Sequence, residues 1–163
     1  MARVVVIGVG NPLLGDEGVG VTAVERLREQ GVPEEVEIVD AGTDSLDALL
    51  DATDAERVII VDAVDAGGEA GTLYRFDAAK LMEAETVRPL LSLHQMTLKE
   101  SVALAELSGF DRRRLVVVGV QPALVGPRMG LSDAVAERFD ALLDMVRDEI
   151  RRAGRDKDRE EDE

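Results

Sequence analysis

The stretch from Arg3 to Gly20, RVVVIGVGNPLLGDEGVG, sets an almost unbroken aliphatic run against a loop with glycine at positions 8, 10, 15, 18 and 20. A short β-branched run that ends in a glycine-crowded loop reads as a strand turning into a helix. Two runs of the same kind follow, RVIIVDA at 57–63 and RLVVVGVQ at 114–121. Their hydrophobic character is nearly continuous rather than alternating, as a strand covered on both faces requires, so the three suit a parallel sheet. Residues 36–41 read as a fourth strand. Residues 71–77, which follow the glycine-rich DAGGEAG, alternate as an edge strand does, with antiparallel pairing open to it.

Helical patterns lie between these runs. Residues 19–29 place Val21, Val24 and Leu27 at helical spacing. Residues 45–52 form a short helix with Ser45 or Asp44 as N-cap. Residues 97–107 carry Leu98, Val102, Leu104, Ala105 and Leu107, and a last helix opens at Ser132 with Val135, Phe139, Leu142, Leu143, Val146 and Ile150 on one face. The alternation predicts an α/β fold: a single doubly wound three-layer domain, a mostly parallel twisted sheet of about five strands with helices on both faces. That domain is expected over residues 1–153. The remainder, GRDKDREEDE at 154–163, reads as a charged, disordered tail.

A chain of 163 residues can bury roughly 70% of its unfolded surface. Only 2% of its residues are aromatic, so the core must be built of Val, Leu, Ile and Ala. The net charge of −15 argues against nucleic acid and anionic membrane surfaces as partners. It leaves open a basic partner surface or plain solubility. Without cysteine there is no disulfide, thiolate metal site or cysteine nucleophile. No apolar run approaches the ~18 residues of a membrane span, and the expected location is cytoplasmic.

The glycine loop invites a nucleotide, but G-x-G-x-x-G would need glycine where Leu13 stands. Asp16 and Glu17 would also compete with a pyrophosphate at the helix start. Asp40, at a strand end, could mimic a ribose-binding acid, yet the phosphate site is missing, so no nucleotide is expected. Asp62 ends the run VIIVD, at the carboxyl edge of a parallel sheet, where ligands bind near a switch of strand order. Strand-end aspartates also cap turns, and both roles stay open. Glu17 follows the first strand and Asp62 ends the third. Because those two strands are neighbours in common doubly wound orders, their carboxylates are expected to converge. His94 is the only histidine, in LSLHQMTLKE, and a lone histidine more often caps or packs than ligates. Joined to two converging acids it completes a set that suits nickel, zinc, cobalt or iron with open positions. There is no G-x-S-x-G, and a serine triad is not expected.

Five segments in order, IGVGNPLLGDEGVG at 7–20, VDAGT at 39–43, VIIVDAV at 58–64, SLHQ at 92–95 and VGVQP at 118–122, resemble the successive motifs of the hydrogenase maturation proteases. The resemblance covers nearly the whole chain apart from the acidic tail. It implies a twisted sheet with helices on both faces and, as activity, an aspartyl-type endopeptidase. Such an enzyme removes a C-terminal peptide from the nickel-loaded large-subunit precursor of a nickel–iron hydrogenase. It further implies Glu17, Asp62 and His94 as the residues that meet the metal, with nickel supplied by the substrate. Asp40 matches the acid of a box in which Ala41 replaces the commoner glycine, and Asp40 and Asp62 are the candidates for activating the attacking water. Two other readings use the same residues. One is a non-proteolytic nickel chaperone. The other is a receiver-like phosphoacceptor domain, which would need a lysine at the end of the last strand, where Gln121 precedes Pro122.

Overall fold

The computed structural model describes residues 3–83 and 96–162. Five strands, β1 (Val4–Val9), β2 (Val36–Gly42), β3 (Arg57–Ala63), β4 (Leu73–Asp77) and β5 (Leu115–Val120), form one sheet in the order β2-β1-β3-β5-β4. The first four of that order run parallel. β4 closes the edge antiparallel to β5, with Phe76 opposite Val117. All five sequence-expected strands are present within one or two residues of their expected ends.

The three buried strands alternate between two cores, which is why their sequences show no polar face. Val4, Val6, Ile59, Val61, Val116 and Val118 point into one core, against α1 (Val19–Gln30) and α6 (Phe139–Glu161). Val5, Ile7, Val58, Ile60, Leu115 and Val117 point into the other. There they meet α2 (Ser45–Asp51), α3 (Ala78–Met82) and α4 (Leu98–Leu107). The result is the expected three-layer α/β fold. Among the described residues no helix is long and apolar enough to cross a membrane.

Several local readings sharpen or change. Asp44, not Ser45, caps α2 by accepting from the Asp47 amide at 3.1 Å. Ser45 is buried and pairs with Ser101 of α4 at 2.7 Å, so both hydroxyls are satisfied between helices. The single helix expected from Ser132 is two: Ser132 caps a four-residue α5 (Asp133–Ala136), and α6 restarts at Phe139. The short α3, capped by Asp77, was not anticipated.

Sequence reading ends the ordered domain at residue 153, but α6 continues as helix through Gly154 to Glu161. Ala153 is the last apolar residue of α6 packed against the core. Beyond it the helix is carried by the good helix formers Arg155, Lys157, Arg159, Glu160 and Glu161 and by pairs such as Lys157–Glu161 at 3.6 Å.

The last helix is anchored by a buried carboxylate. Glu149 is 2% exposed and meets the guanidinium groups of Arg75, of Arg57 at 3.4 Å and of Arg152 at 3.4 Å. Burial alone would raise its pKa, but the Arg75 hydrogen bond and the surrounding positive charges hold it below its ordinary value. Removing that charge leaves clustered cations without their counterion, so Glu149→Gln is expected to cost about 3 kcal/mol, measured by urea unfolding at pH 7. Because the folded-state pKa is lowered, this stabilisation is present above the ordinary value of 4.5 and is lost as pH falls through the folded value. The deficit of the variant should therefore shrink in acid.

Candidate active site

The strand order reverses direction between β1 and β3, and their carboxyl ends form the crevice where ligands bind in open α/β sheets. The chain leaves β1 at Gly10, whose φ of 136° lies in the region that favours glycine. A Cβ there would stand 1.8 Å from the Glu17 carbonyl oxygen, so the loop is folded hard against the turn it leads to. The Gly10 amide also donates to the Gly42 carbonyl at 2.7 Å, tying this loop to the end of β2. A 3-10 turn, Asp16–Gly18, then runs directly into α1.

The neighbouring acids of that turn have opposite fates. Asp16 is fully buried and its carboxylate accepts four hydrogen bonds. These come from the Ala123 amide (2.8 Å), the Leu124 amide (2.9 Å), the Ser132 amide (2.7 Å) and the Ser132 hydroxyl (2.8 Å). Burial alone would raise its pKa; the bonds from Leu124, Ser132 and Ala123 outweigh it and keep the group below its ordinary value. Glu17 is also buried, at 7% exposure, but its Oε2 has no hydrogen-bond partner among the described residues. Burial raises its pKa.

Asp62, near the end of β3 and in register with Gly119 of β5, is half-buried. Its carboxyl is pushed well above the ordinary range, first by burial, against the opposing pull of the Ala63 amide. The charge of Glu17 pushes it further. The two carboxylates thus converge as the strand order predicts. Asp40 stands at the same edge, opposite Gly8 of β1. It is exposed, and its Oδ1 accepts from the Gly42 amide at 2.9 Å. His94 lies outside the described residues, and among the described residues no group of three or more His, Cys, Asp or Glu side chains is placed to hold a metal ion.

Two residues of the site's frame escaped sequence reasoning. Asp16 carries no signal to separate it from Glu17 beside it. Gln121, noted only for standing where a receiver domain needs lysine, is buried and organises the loop after β3. Its Oε1 accepts from the Ala66 amide (3.0 Å) and the Tyr74 hydroxyl (2.8 Å), and its Nε2 donates to Asp65 (2.9 Å).

Residues 21–149 match the family model described as hydrogenase maturation protease. The chain belongs to the hydrogenase maturation protease family. It is 33% identical to the hydrogenase 2 maturation protease of Escherichia coli K12 over 158 residues, 93% of each chain. It is 38% identical to the hydrogenase expression/formation protein HupD of Rhodobacter capsulatus over 152 residues, 90% of this chain and 70% of that one. The fold matches the hydrogenase maturating endopeptidase HybD from E. coli, with a TM-score of 0.78, 33% identity and coverage of 93% of this chain and 94% of that one. With the family comes the enzyme class, a maturation endopeptidase.

In this maturation protease the converging carboxylates also act on stability. Glu17 and Asp62 both have pKa values raised by folding, so their favourable contribution is complete only below the ordinary values of 4.5 and 3.8. It is lost as pH rises through the folded values. Asp62→Asn is accordingly expected to stabilise the free protein by about 1 kcal/mol at pH 7. The gain should fade towards pH 4, as read from paired urea titrations of variant and parent. Equal stability at both pH values would mean that the two groups do not repel.

Proposed function

We propose that this maturation protease acts in the cytoplasm, removing a C-terminal peptide from the nickel-loaded large-subunit precursor of a nickel–iron hydrogenase. On this reading Glu17, Asp62 and His94 meet the nickel that the substrate brings. The observation that carries it is the buried Glu17 carboxylate, which keeps an oxygen without a partner among the described residues beside a second carboxylate of strongly raised pKa. Two desolvated acids that repel one another form a poor resting state and a ready receptor for a divalent cation, whose arrival removes the repulsion. Carboxylates with an imidazole also suit nickel that retains open coordination positions.

Gripping the substrate's metal fixes the neighbouring peptide against the enzyme, and the ion polarises the scissile carbonyl. Asp40, exposed at the same edge, or Asp62 takes the proton of the attacking water. An Asp40→Asn variant that cleaves at the parent rate would remove Asp40 from that role.

The test incubates the protein with a hydrogenase large-subunit precursor, prepared with and without nickel, and follows the precursor by mass spectrometry. Loss of a short C-terminal peptide from the nickel-loaded form alone is the expected result. Nickel uptake without any cleavage would instead make this chain a nickel carrier.

A further inference from the structure

Asp16 takes no part in the proposed chemistry, yet it is fully buried and its carboxylate accepts four hydrogen bonds. Its four donors come from Ala123, Leu124 and Ser132, all in the segment that follows β5. Three of the bonds fall on Oδ2 and one, from the Ser132 amide, on Oδ1, so both oxygens are held. Main-chain bonds continue the same junction. The Asp16 amide donates to the Leu124 carbonyl at 2.9 Å, the Gly15 amide to Arg128 at 2.8 Å, and the Arg128 amide back to Leu13 at 3.1 Å. The loop before α1 and the segment after β5 are therefore zipped together, with Asp16 as the side-chain fastener.

Glu17 is the next residue. Its Oε2 has no hydrogen-bond partner among the described residues, and the turn that Asp16 pins sets the direction of its carboxylate. The junction lies at the carboxyl edge of the sheet, and of residues 13–16 and 123–132 only Leu131 packs against a hydrophobic core. We infer that Asp16 is a positioning residue: by fastening the 3-10 turn to residues 123–132 it aims the Glu17 carboxylate at the substrate's divalent cation. The inference rests on the proposed role of Glu17. In Asp16→Asn the Nδ2 group would face the Ser132 amide if it stood at the Oδ1 position, or the Ala123 and Leu124 amides if it stood at Oδ2; either way donor meets donor, which opens the fastener at almost constant volume.

The experiment measures kcat and KM for cleavage of the nickel-loaded precursor by full-length Asp16→Asn, Ser132→Ala, Glu17→Gln and Glu149→Gln, each normalised to its folded fraction by circular dichroism. Expected are a KM raised at least tenfold in Asp16→Asn and severalfold in Ser132→Ala, with kcat within about twofold of the parent, as loss of uniform binding requires. Glu149→Gln is destabilised through the opposite end of the sheet and should show parent KM, which separates positioning from simple loss of stability. Should Asp16→Asn fail to fold, Ser132→Ala decides alone, since it removes one donor and leaves the other three. Parent-like KM in both Asp16→Asn and Ser132→Ala, with Glu17→Gln inactive, overturns the inference and leaves the function standing. Full activity of Glu17→Gln overturns both.

Discussion

Glu17→Gln is expected to fold as the parent does and to lose nickel-dependent cleavage by ~100-fold or more, the scale of removing one preorganised electrostatic group from an active site. The replacement is isosteric, so the turn Asp16–Gly18 and the junction with residues 123–132 keep their packing. What disappears is the negative charge, carried by a carboxylate whose Oε2 has no partner among the described residues. Because that charge is buried beside Asp62, removing it should not lower stability; the remaining carboxyl is relieved of a neighbour that raises its pKa. Falling activity with level or rising stability is the signature of a group kept for function rather than for the fold. It is checked by following precursor cleavage and urea unfolding on the same preparation. Parent activity in Glu17→Gln would sink the metal-recognition role.

The second large effect is at Gly20. A Cβ there would stand 2.1 Å from the Val61 carbonyl oxygen and 2.4 Å from that of Val9. Both atoms belong to the central strands β3 and β1, which pair with each other and cannot retreat. Gly8 meets the same helix from below, since a Cβ on it would lie 2.4 Å from the Gly20 carbonyl oxygen. α1 therefore rests on the sheet backbone to backbone, and this contact brings the helix start level with the crevice between β1 and β3. Gly20→Ala is expected to cost about 3 kcal/mol or more by overpacking, a drop of roughly 6–12 °C in Tm for a chain of this size. Cleavage should fall even in the folded fraction, because α1 can rise only by carrying Glu17 with it. Gly154→Ala is the control: nothing lies within 4 Å of its Cβ in α6, and the change should gain up to about 1 kcal/mol. Parent-like Tm in Gly20→Ala would show that the helix has room the structure does not give it.

Much of this was legible in the chain because it depends on local pattern. Continuous aliphatic runs named the buried strands, and the glycine loop named the turn from β1 into α1. The order of acids and strands was enough to bring Glu17 and Asp62 together, since a doubly wound sheet makes the first and third strands neighbours. The parts that stayed hidden depend on partners remote in sequence. Asp16 and Glu17 are adjacent acids, and only the donors 107 to 116 residues away make one a fastener and leave the other unpaired. Glu149 looks like any solvated helix residue until Arg57 and Arg75 are folded against it. The charge run after Ala153 showed the end of the core but not the end of the helix, because charged residues that pair along a helix are as helical as they are soluble.

The fastening of Asp16 also sets an order in time. Glu17, Asp40 and Asp62 are all encoded in the first 62 residues, but the donors that hold Asp16 run from Ala123 to Ser132. During synthesis the acidic residues emerge well before the segment that shapes their turn, and the late segment must reach back past β3 to meet it. Contacts of such sequence separation form late in folding, after the closure of long loops has been compensated by the core. A growing chain thus displays its carboxylates as an unorganised acidic stretch, and the crevice takes its working shape only when β5 and the segment behind it have come home. In refolding experiments, recovery of cleavage should accordingly follow the protection of the Ala123, Leu124 and Ser132 amides rather than the earlier appearance of helix.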